Sequence, residues 1–237
     1  MVDYFSACLA ALPTLPRLCV CWGARCQTVP ALCEACMEVL PRSSANCYQC
    51  AISLAESAGK YCGACLSEPP AFEHSVAAFC YEFPARELIN RFKFQADFAT
   101  GEALSHCLAK RIQNSYAADS LPHRLVPVPL YRHRLRQRGF NQSLLIARSV
   151  GQYLGIPVTT ALISQSKPTL EQKTLNAEQR RQNLRGVFQV NRGVSGHIAV
   201  VDDVVTTTAT SRELARVLRK AGATRVDNWC LGRTPCL

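Results

Sequence analysis

The sequence predicts an α/β protein with a mainly parallel sheet flanked by helices, preceded by a small cysteine-rich unit. Three observations support this prediction. Ten of the 14 cysteines lie in the first 65 residues. From about residue 75 onward, apolar runs alternate with helical stretches. Charge is divided the opposite way, since residues 1–70 hold four basic and five acidic side chains and residues 71–237 hold 23 and 12.

These opposite biases predict two domains, residues 1–70 and residues 71–237. The boundary falls near SEPPAF (67–72), where two consecutive prolines stiffen the chain. The formal net charge of +10 therefore belongs to the second domain. A strongly basic domain favours anionic partners such as phosphates or nucleic acid.

The sequence does not predict a membrane protein. No segment approaches the roughly 18 consecutive apolar residues that a spanning helix needs. The N-terminal stretch lacks an early Lys or Arg, carries Asp3 and is interrupted by Pro13 and Pro16, which makes it a poor secretory signal. We interpret it as a short amphipathic helix packed on the protein, with contact to a membrane surface as the alternative. We therefore expect a cytoplasmic protein.

The cysteine-rich unit contains three C-x-x-C pairs. They are Cys33/Cys36, Cys47/Cys50 and Cys62/Cys65. Two residues between thiolates let both sulfurs bind one ion, and two such pairs complete a tetrahedral zinc site. Eleven residues separate Cys50 from Cys62, and eleven separate Cys21 from Cys33, which indicates two zinc-ribbon units in tandem.

We predict two structural zinc sites in this unit. Their ligands are Cys19, Cys21, Cys33 and Cys36 in the first site, and Cys47, Cys50, Cys62 and Cys65 in the second. The first site is irregular, because its N-terminal part offers Cys19, Cys21 and Cys26 without a C-x-x-C pair, so a single zinc stays open as an alternative. A reducing compartment favours metal over a disulfide framework. A closed shell of four thiolates leaves no position for a substrate.

Three apolar runs in the second domain predict buried strands. They are RLVPVPL (124–130), IAVV (198–201) and VDNWCL (226–231). Residues 210–223 predict a helix, since leucine, valine and alanine recur there at helical spacing and Gly222 is placed to end it.

The segment IAVVDDVVTTTAT (198–210) joins one of these strands to that helix. Its loop follows the C-terminal end of a strand, where open parallel sheets bind ligands. Free N–H groups at a helix N-terminus suit a phosphate, and threonine hydroxyls add donors. The adjacent carboxylates of Asp202 and Asp203 suit ribose hydroxyls or a divalent ion. Together they predict a site for a ribose phosphate.

This segment resembles the phosphoribosyl-pyrophosphate (PRPP) loop of type I phosphoribosyltransferases, which has apolar residues, two acids and then T-G-x-T. The resemblance implies that the acids bind the ribose hydroxyls, that the turn holds the 5-phosphate and that Mg²⁺ accompanies PRPP. The residues it assigns to PRPP are Asp202, Asp203, Thr206, Thr207, Thr208, Ala209 and Thr210.

Other segments resemble the ComF/GntX family. They are YEFPARELINRFKF (81–94), VPVPLYRHRLRQRGFNQS (126–143) and EQKTLNAEQRRQNLRGVF (171–188). The resemblance implies a zinc-binding head joined to a type I phosphoribosyltransferase-like fold, a role in natural competence or in the use of DNA as a nutrient, and DNA-uptake proteins as partners. Four residues in these segments are open between an anion-binding and a surface role. They are Lys93, Arg180, Arg181 and Asn183.

Two threonines depart from the phosphoribosyltransferase pattern. Thr208 stands where the loop has Gly, and a positive φ there would cost roughly 1–3 kcal/mol. Thr206 stands where some purine-salvage members carry an acid, so purine salvage is not expected. No general base is identified, and both activity as a glycosyltransferase-class enzyme and the identity of its acceptor stay open.

A basic segment without Asp or Glu extends over residues 120–170. Its charged residues are Arg124, Arg132, Arg134, Arg136, Arg138, Arg148 and Lys167. The family resemblance implies that VPVP is the pyrophosphate loop and that the phosphates contact residues just beyond it. Those residues are Arg136, Arg138, Asn141 and Gln142. The alternatives are single-stranded DNA bound by the arginines, which alternate from 132 to 138 and would share one face if extended, and a solvated basic face.

Overall fold

The computed structural model describes residues 17–26, 31–57, 59–117, 120–167, 184 and 186–235. Its strands and helices in chain order are β1 Arg17–Leu18, β2 Arg25–Cys26, α1 Glu34–Val39, α2 Gly63–Ser67, β3 Ser75–Cys80, α3 Ala85–Gln95, α4 Phe98–Ser115, β4 Arg124–Pro127, α5 Arg132–Arg138, α6 Gln142–Leu154, β5 Ile163–Gln165, β6 Phe188–Val190, β7 His197–Val205, α7 Ala209–Lys220 and β8 Arg225–Arg233. The predicted N-terminal helix and the residues Arg180, Arg181 and Asn183 lie outside the described residues.

A four-stranded parallel sheet in the order β3-β8-β7-β4 forms the centre of the second domain. The predicted α/β class is confirmed, and the three predicted strands are confirmed as β4, β7 and β8. β7 is longer than predicted, because its pairing with β8 continues through Asp202, opposite Cys230, as far as Val205, opposite Arg233. The two acids therefore lie within the strand and not in the loop after it.

Both faces of the sheet are covered. Ala199 and Val201 of β7 belong to a core that includes residues of α4 and α6, and Ile198 and Val200 belong to a second core with α7 and the antiparallel pair β5–β6. Burial on both sides explains why this strand is continuously apolar instead of alternating. Among the described residues, no helix combines the length and the apolar character that crossing a membrane requires.

The cysteine-rich head packs directly on the second domain. Cys36 and Leu40 of the head share a hydrophobic core with Leu104 and Leu108 of α4. The guanidinium of Arg91 also donates a hydrogen bond to the carbonyl of Val20, at 3.0 Å. The boundary predicted near residue 70 therefore separates a cysteine-rich part of the chain from a basic part, and the two parts share a hydrophobic core.

The arginine-rich segment is helical, contrary to the extended form considered above. Arg132–Arg138 form α5, which ends at Gly139, whose φ of 79° is left-handed and whose N–H donates to the carbonyl of Leu135. Glycine adopts this conformation readily, so RG is a helix stop here. Successive alternate positions of a helix point roughly 200° apart, so the alternating arginines do not share one face.

Candidate functional site

A cavity of about 670 Å³ opens where β4 and β7 end. The residues that the phosphoribosyltransferase resemblance assigns to PRPP all line it, and they are Asp202, Asp203, Thr206, Thr207, Thr208, Ala209 and Thr210. Val128 and Pro129 of VPVP also line it. The location at the carboxyl ends of parallel strands is the one at which open α/β sheets bind ligands. We call this cavity the cleft.

The two aspartates have different partners in the cleft. Asp203 forms an ion pair with Lys93 of α3, with 2.6 Å between Oδ2 and Nζ. Asp202 accepts hydrogen bonds at Oδ1 from the hydroxyl of Ser143 at 3.0 Å and from the backbone N–H of Asp203 at 2.8 Å. Lys93 is therefore part of the cleft and not a surface residue. Ser143 was not anticipated from the sequence.

Burial raises the pKa of Asp202 to about 7, and the negative charge of Asp203 acts in the same direction. Lys93 and the hydrogen bond from Ser143 oppose this rise. Burial would lower the pKa of Lys93, but the carboxylate of Asp203 outweighs burial, so its pKa is raised. Near neutral pH the cleft thus holds a charged lysine beside one ionised and one partly protonated carboxyl. Such a pair accepts hydrogen bonds from hydroxyls without strongly repelling an anion.

The threonine turn leads from β7 into α7. Thr208 is the N-cap of α7 and has φ 61° and ψ 2°, so the condition under which this threonine is strained is met. A left-handed threonine costs roughly 1–3 kcal/mol. Arg212 offsets part of this cost, because its Nε donates to the Thr208 hydroxyl at 3.2 Å and its backbone N–H donates to the Thr208 carbonyl at 2.8 Å.

Arg233, at the end of β8, holds the start of this turn in place. Its Nη1 donates to the carbonyls of Val205 at 3.2 Å and Thr206 at 2.5 Å, and its Nε donates to the carbonyl of Cys50 at 2.8 Å. The residue is 8% exposed. Its role was not predicted from the sequence, although an arginine that directly follows a buried apolar run is a signal that it has a specific partner.

The basic segment brings two of its four predicted phosphate contacts, Arg138 and Gln142, to the cleft together with Arg134. Arg134 and Arg138 line the cleft, being one helical turn apart on α5, and Gln142 lies beside Arg138. Arg136 points elsewhere and is exposed. The side chain of Asn141 bonds to the backbone instead. Its Oδ1 accepts from the N–H of Leu144 and so caps the start of α6, and its Nδ2 donates to the carbonyl of Val128 at 3.0 Å.

The cleft also has an aromatic wall that the sequence analysis did not predict. Phe94 of α3 lines it with 61% of its surface exposed. The guanidinium of Arg138 lies 5.5 Å from the centre of this ring, a geometry typical of a cation–π contact. Tyr81 lines the same region.

The second predicted metal site has the geometry of a zinc site. The sulfurs of Cys47, Cys50, Cys62 and Cys65 all lie within 4.8 Å of one another, with 3.6 Å between those of Cys50 and Cys62. Tetrahedral zinc with Zn–S bonds of about 2.3 Å places its sulfurs about 3.8 Å apart. The backbone N–H of Cys62 also donates to the sulfur of Cys47 at 3.2 Å, which favours a thiolate there.

The first site gathers three of its predicted cysteines. They are Cys19, Cys33 and Cys36, with 3.5 Å between the sulfurs of Cys19 and Cys36. The N–H of Cys33 donates to the sulfur of Cys19, as Cys62 does to Cys47, but 14 positions separate the pair instead of 15. Because of this one-residue difference, the position equivalent to Cys50 is Trp22 when counted from Cys19 and Cys21 when counted back from Cys33. Cys21 and Cys26 lie outside the group of three, and either would supply a fourth ligand.

The chain is similar in sequence to proteins of known name. It is 34% identical over 227 residues to the DNA utilization protein YhgH of Escherichia coli O157:H7, which covers 93% of this chain and 99% of that protein. It is 34% identical over 208 residues to competence protein F of Haemophilus influenzae, covering 85% and 90%. Competence protein ComFC of Bacillus subtilis is 26% identical over 79% of this chain and 84% of its own length. No family model matches the chain.

Two solved structures overlap with part of the chain. A purine phosphoribosyltransferase from Pyrococcus horikoshii covers 56% of this chain and 75% of its own, with 17% identity and a TM-score of 0.34. The glutamine PRPP amidotransferase of Bacillus subtilis covers 60% of this chain and 30% of its own, with 20% identity and a TM-score of 0.40.

The raised pKa of Asp202 predicts a pH-dependent stability. Between its unfolded pKa of 3.8 and its folded pKa of about 7, the native state keeps a proton that the unfolded chain releases. The free energy of unfolding therefore falls as pH rises through this window and stops falling above it. Asp202→Asn keeps the acceptor oxygen but removes the titration. Its stability relative to wild type should rise by roughly 1–2 kcal/mol between about pH 5.5 and 7.5, measured by urea unfolding.

The matched control for this prediction is Glu102→Gln, which removes an exposed carboxyl of α4 outside the cleft. Because this variant keeps Asp202, its stability should fall through the same pH window as that of wild type. An Asp202→Asn difference from wild type that stays flat would show that Asp202 is ionised throughout.

Proposed function

Because this chain belongs to the ComF/GntX family, together with competence protein F and the DNA utilization protein YhgH, we propose that it acts in natural competence or in the use of DNA as a nutrient. We also propose that its cleft binds PRPP. The observation that carries the proposal is the meeting of two acids and a hydroxyl-rich helix N-terminus in one cavity. Acids suit the ribose hydroxyls, and the helix N-terminus suits the 5-phosphate. The proposal locates the protein in the cytoplasm, where thiols stay reduced and available to zinc.

The charges around the cleft support an anionic ligand. Lys93, Arg134 and Arg138 line it, opposed by Asp203 and a partly protonated Asp202. In our proposal the two arginines of α5 face the pyrophosphate group, whose charge they neutralise. The carboxylate oxygens are hard donors of the kind Mg²⁺ prefers, and Mg²⁺ bound with PRPP would neutralise further charge on the pyrophosphate.

The proposal concerns ligand binding first. Transfer of the phosphoribosyl group to an acceptor would make the protein a glycosyltransferase-class enzyme. Asp202 and Asp203 are assigned to the ribose, so no carboxylate lining the described part of the cleft is assigned as a general base. Release of pyrophosphate in the presence of candidate acceptors is the measurement that would establish turnover.

An alternative is binding of single-stranded DNA by the basic segment. Arg132 and Arg136 of α5 are exposed and point away from the cleft's lining, and no acid lies within residues 120–170. Exposed arginines of this kind neutralise backbone phosphates, and Phe94 at the mouth of the cleft offers a face on which a base can stack. In this alternative the DNA-uptake machinery supplies the strand.

PRPP binding is tested by calorimetric titration of PRPP with Mg²⁺ into wild type and Asp203→Asn. Loss of the carboxylate removes a charge-assisted hydrogen bond to the ribose and leaves Lys93 without its partner, so affinity should fall about tenfold or more. Glu102→Gln, the exposed carboxyl of α4, should bind as wild type does. Wild-type protein that does not bind PRPP would overturn the proposal. A parallel titration with oligothymidylate at two salt concentrations measures the alternative, which requires affinity that falls with salt.

Thr208→Gly should relieve backbone strain in the turn. Glycine adopts φ 61° without penalty, and the gain should exceed the loss of the Arg212 hydrogen bond, so stability rises by about 1 kcal/mol and PRPP affinity does not fall. Thr207→Gly is the matched control, since Thr207 has no positive φ and glycine there only adds flexibility to the unfolded chain. Equal destabilisation by both substitutions would contradict the strain assignment.

The zinc assignment is tested by metal analysis of the gently purified protein. We expect at least one zinc per chain, bound by the second cysteine group, and Cys65→Ala should lose that zinc together with much of the stability of the head. Cys107→Ala, which removes a buried thiol outside both groups, should retain the wild-type zinc content. Less than one zinc per wild-type chain would contradict the assignment.

A further inference from the structure

A second cavity, of about 180 Å³, lies on the seam between the head and the sheet domain. Its walls include Tyr48 and Lys60 from the head and His74 and Arg111 from the second domain. We propose that this seam cavity is a binding site for a phosphate group, separate from the cleft. Two cationic side chains, a buried histidine without a hydrogen-bond partner among the described residues and firmly held walls support this site.

Two cationic side chains, Lys60 and Arg111, lie on the walls of the seam cavity. No Asp or Glu is among its lining residues, and in the ranges that the structure describes neither Lys60 nor Arg111 forms an ion pair with a carboxylate. Arg111 has a single side-chain hydrogen bond there, from Nη2 to the carbonyl of Ser43 at 3.3 Å. Burial, and then the neighbouring charge of Arg42, lower the pKa of Arg111. Negative charge nearby comes from Cys47, a predicted zinc ligand that also lines the cavity, and from Asp227, whose carboxylate acts on His74. Two cationic side chains without a carboxylate of their own leave donors available to an anion.

His74 is the unpaired side chain. It is 7% exposed, it lines the cavity, and within the described part of the chain its ring nitrogens have no hydrogen-bond partner. Burial lowers the pKa of His74 to about 4, so at neutral pH the ring is uncharged and carries one N–H donor. Because the ring lines the cavity, this N–H is available to a ligand oxygen.

The walls are held from both sides of the seam. The ring of His74 stacks flat on that of Tyr48, with 4.1 Å between centroids and 8° between planes. The backbone N–H of Tyr48 donates to the carbonyl of Lys60 at 2.9 Å, and the carbonyl of Tyr48 accepts from the N–H of Ser75 at 3.0 Å. The ammonium of Lys60 lies 3.9 Å above the Tyr48 ring. The donors are therefore positioned before any ligand arrives.

The donor set identifies the ligand chemistry. An ammonium, a guanidinium and an imidazole N–H are all donors that phosphate oxygens accept, and a metal cation would be repelled. The volume is below the roughly 300 Å³ of ordinary ligand pockets, so the cavity suits a phosphate group and part of its ester more than a whole nucleotide. The phosphate belongs either to a free anion or to a nucleic acid strand that crosses the seam.

The test uses the full-length, zinc-loaded protein labelled with ¹⁵N-histidine, so that the side-chain NMR signal of His74 reports on this cavity alone. The signal is assigned with His74→Phe, which keeps the stack on Tyr48. Inorganic phosphate should shift it saturably in wild type, and Lys60→Ala should weaken the apparent affinity about tenfold by removing one charged donor. Lys220→Ala, an exposed lysine at the end of α7, is the matched control and should behave as wild type does.

Two outcomes would overturn the proposal: a His74 signal that phosphate does not move, or one that moves equally in Lys60→Ala protein of normal zinc content. Oligothymidylate titrated in the same way identifies the source. If oligothymidylate shifts the signal at a lower concentration of phosphate groups than inorganic phosphate does, the ligand is a nucleic acid strand. If only inorganic phosphate shifts the signal, the ligand is a free anion. PRPP affinity of Lys60→Ala should match wild type, so failure in the seam and failure in the cleft are distinguishable.

Discussion

The buried guanidinium of Arg233 joins the three parts of this protein. It donates to Cys50 in the cysteine-rich head, to Val205 at the end of the central strand and to Thr206 in the threonine turn. The Val205 carbonyl also accepts from the backbone N–H of Thr234 at 3.0 Å. An arginine has enough donors in a fixed plane to serve all three carbonyls. The position of the turn therefore depends on the head being folded. The head is a supporting element of the cleft as well as a metal-binding unit.

A second constraint acts inside the cleft, where Lys93 lies 2.6 Å from Asp203. The ion pair stabilises the negative charge of Asp203 in a buried place. Burial and the charge of Asp203 raise the pKa of Asp202, so Asp202 is partly protonated near neutral pH. The lysine comes from α3, whereas the acids come from β7. The electrostatic state of the central strand is thus set by a helix far from it in the chain.

The sequence allowed the features with local determinants to be predicted. The C-x-x-C pairs, the apolar strands and the acids before a threonine turn each carry their signal within a few residues, and the structure has all of them. Arg136 was assigned from the family resemblance of the segment beyond VPVP, whereas the helix that ends at Gly139 brings Arg134 and Arg138, one turn apart, to the cleft. Ser143, Phe94 and Arg233 were missed because their roles depend on segments brought together only by the fold. The fourth ligand of the first cysteine group stayed open for a different reason, a one-residue difference between two similar units.

The contact made by Arg233 also has a consequence for the order of assembly during synthesis. Of the segments it joins, the one that carries Arg233 leaves the ribosome last, 183 positions after Cys50. The cysteine-rich head and most of the sheet would be made before the side chain that holds the turn exists. Contacts between such distant positions form late and slowly in folding. The nascent chain would therefore emerge with a folded head and an unfinished cleft, and the capacity to hold a phosphoribosyl ligand would be among the last properties that the new molecule acquires.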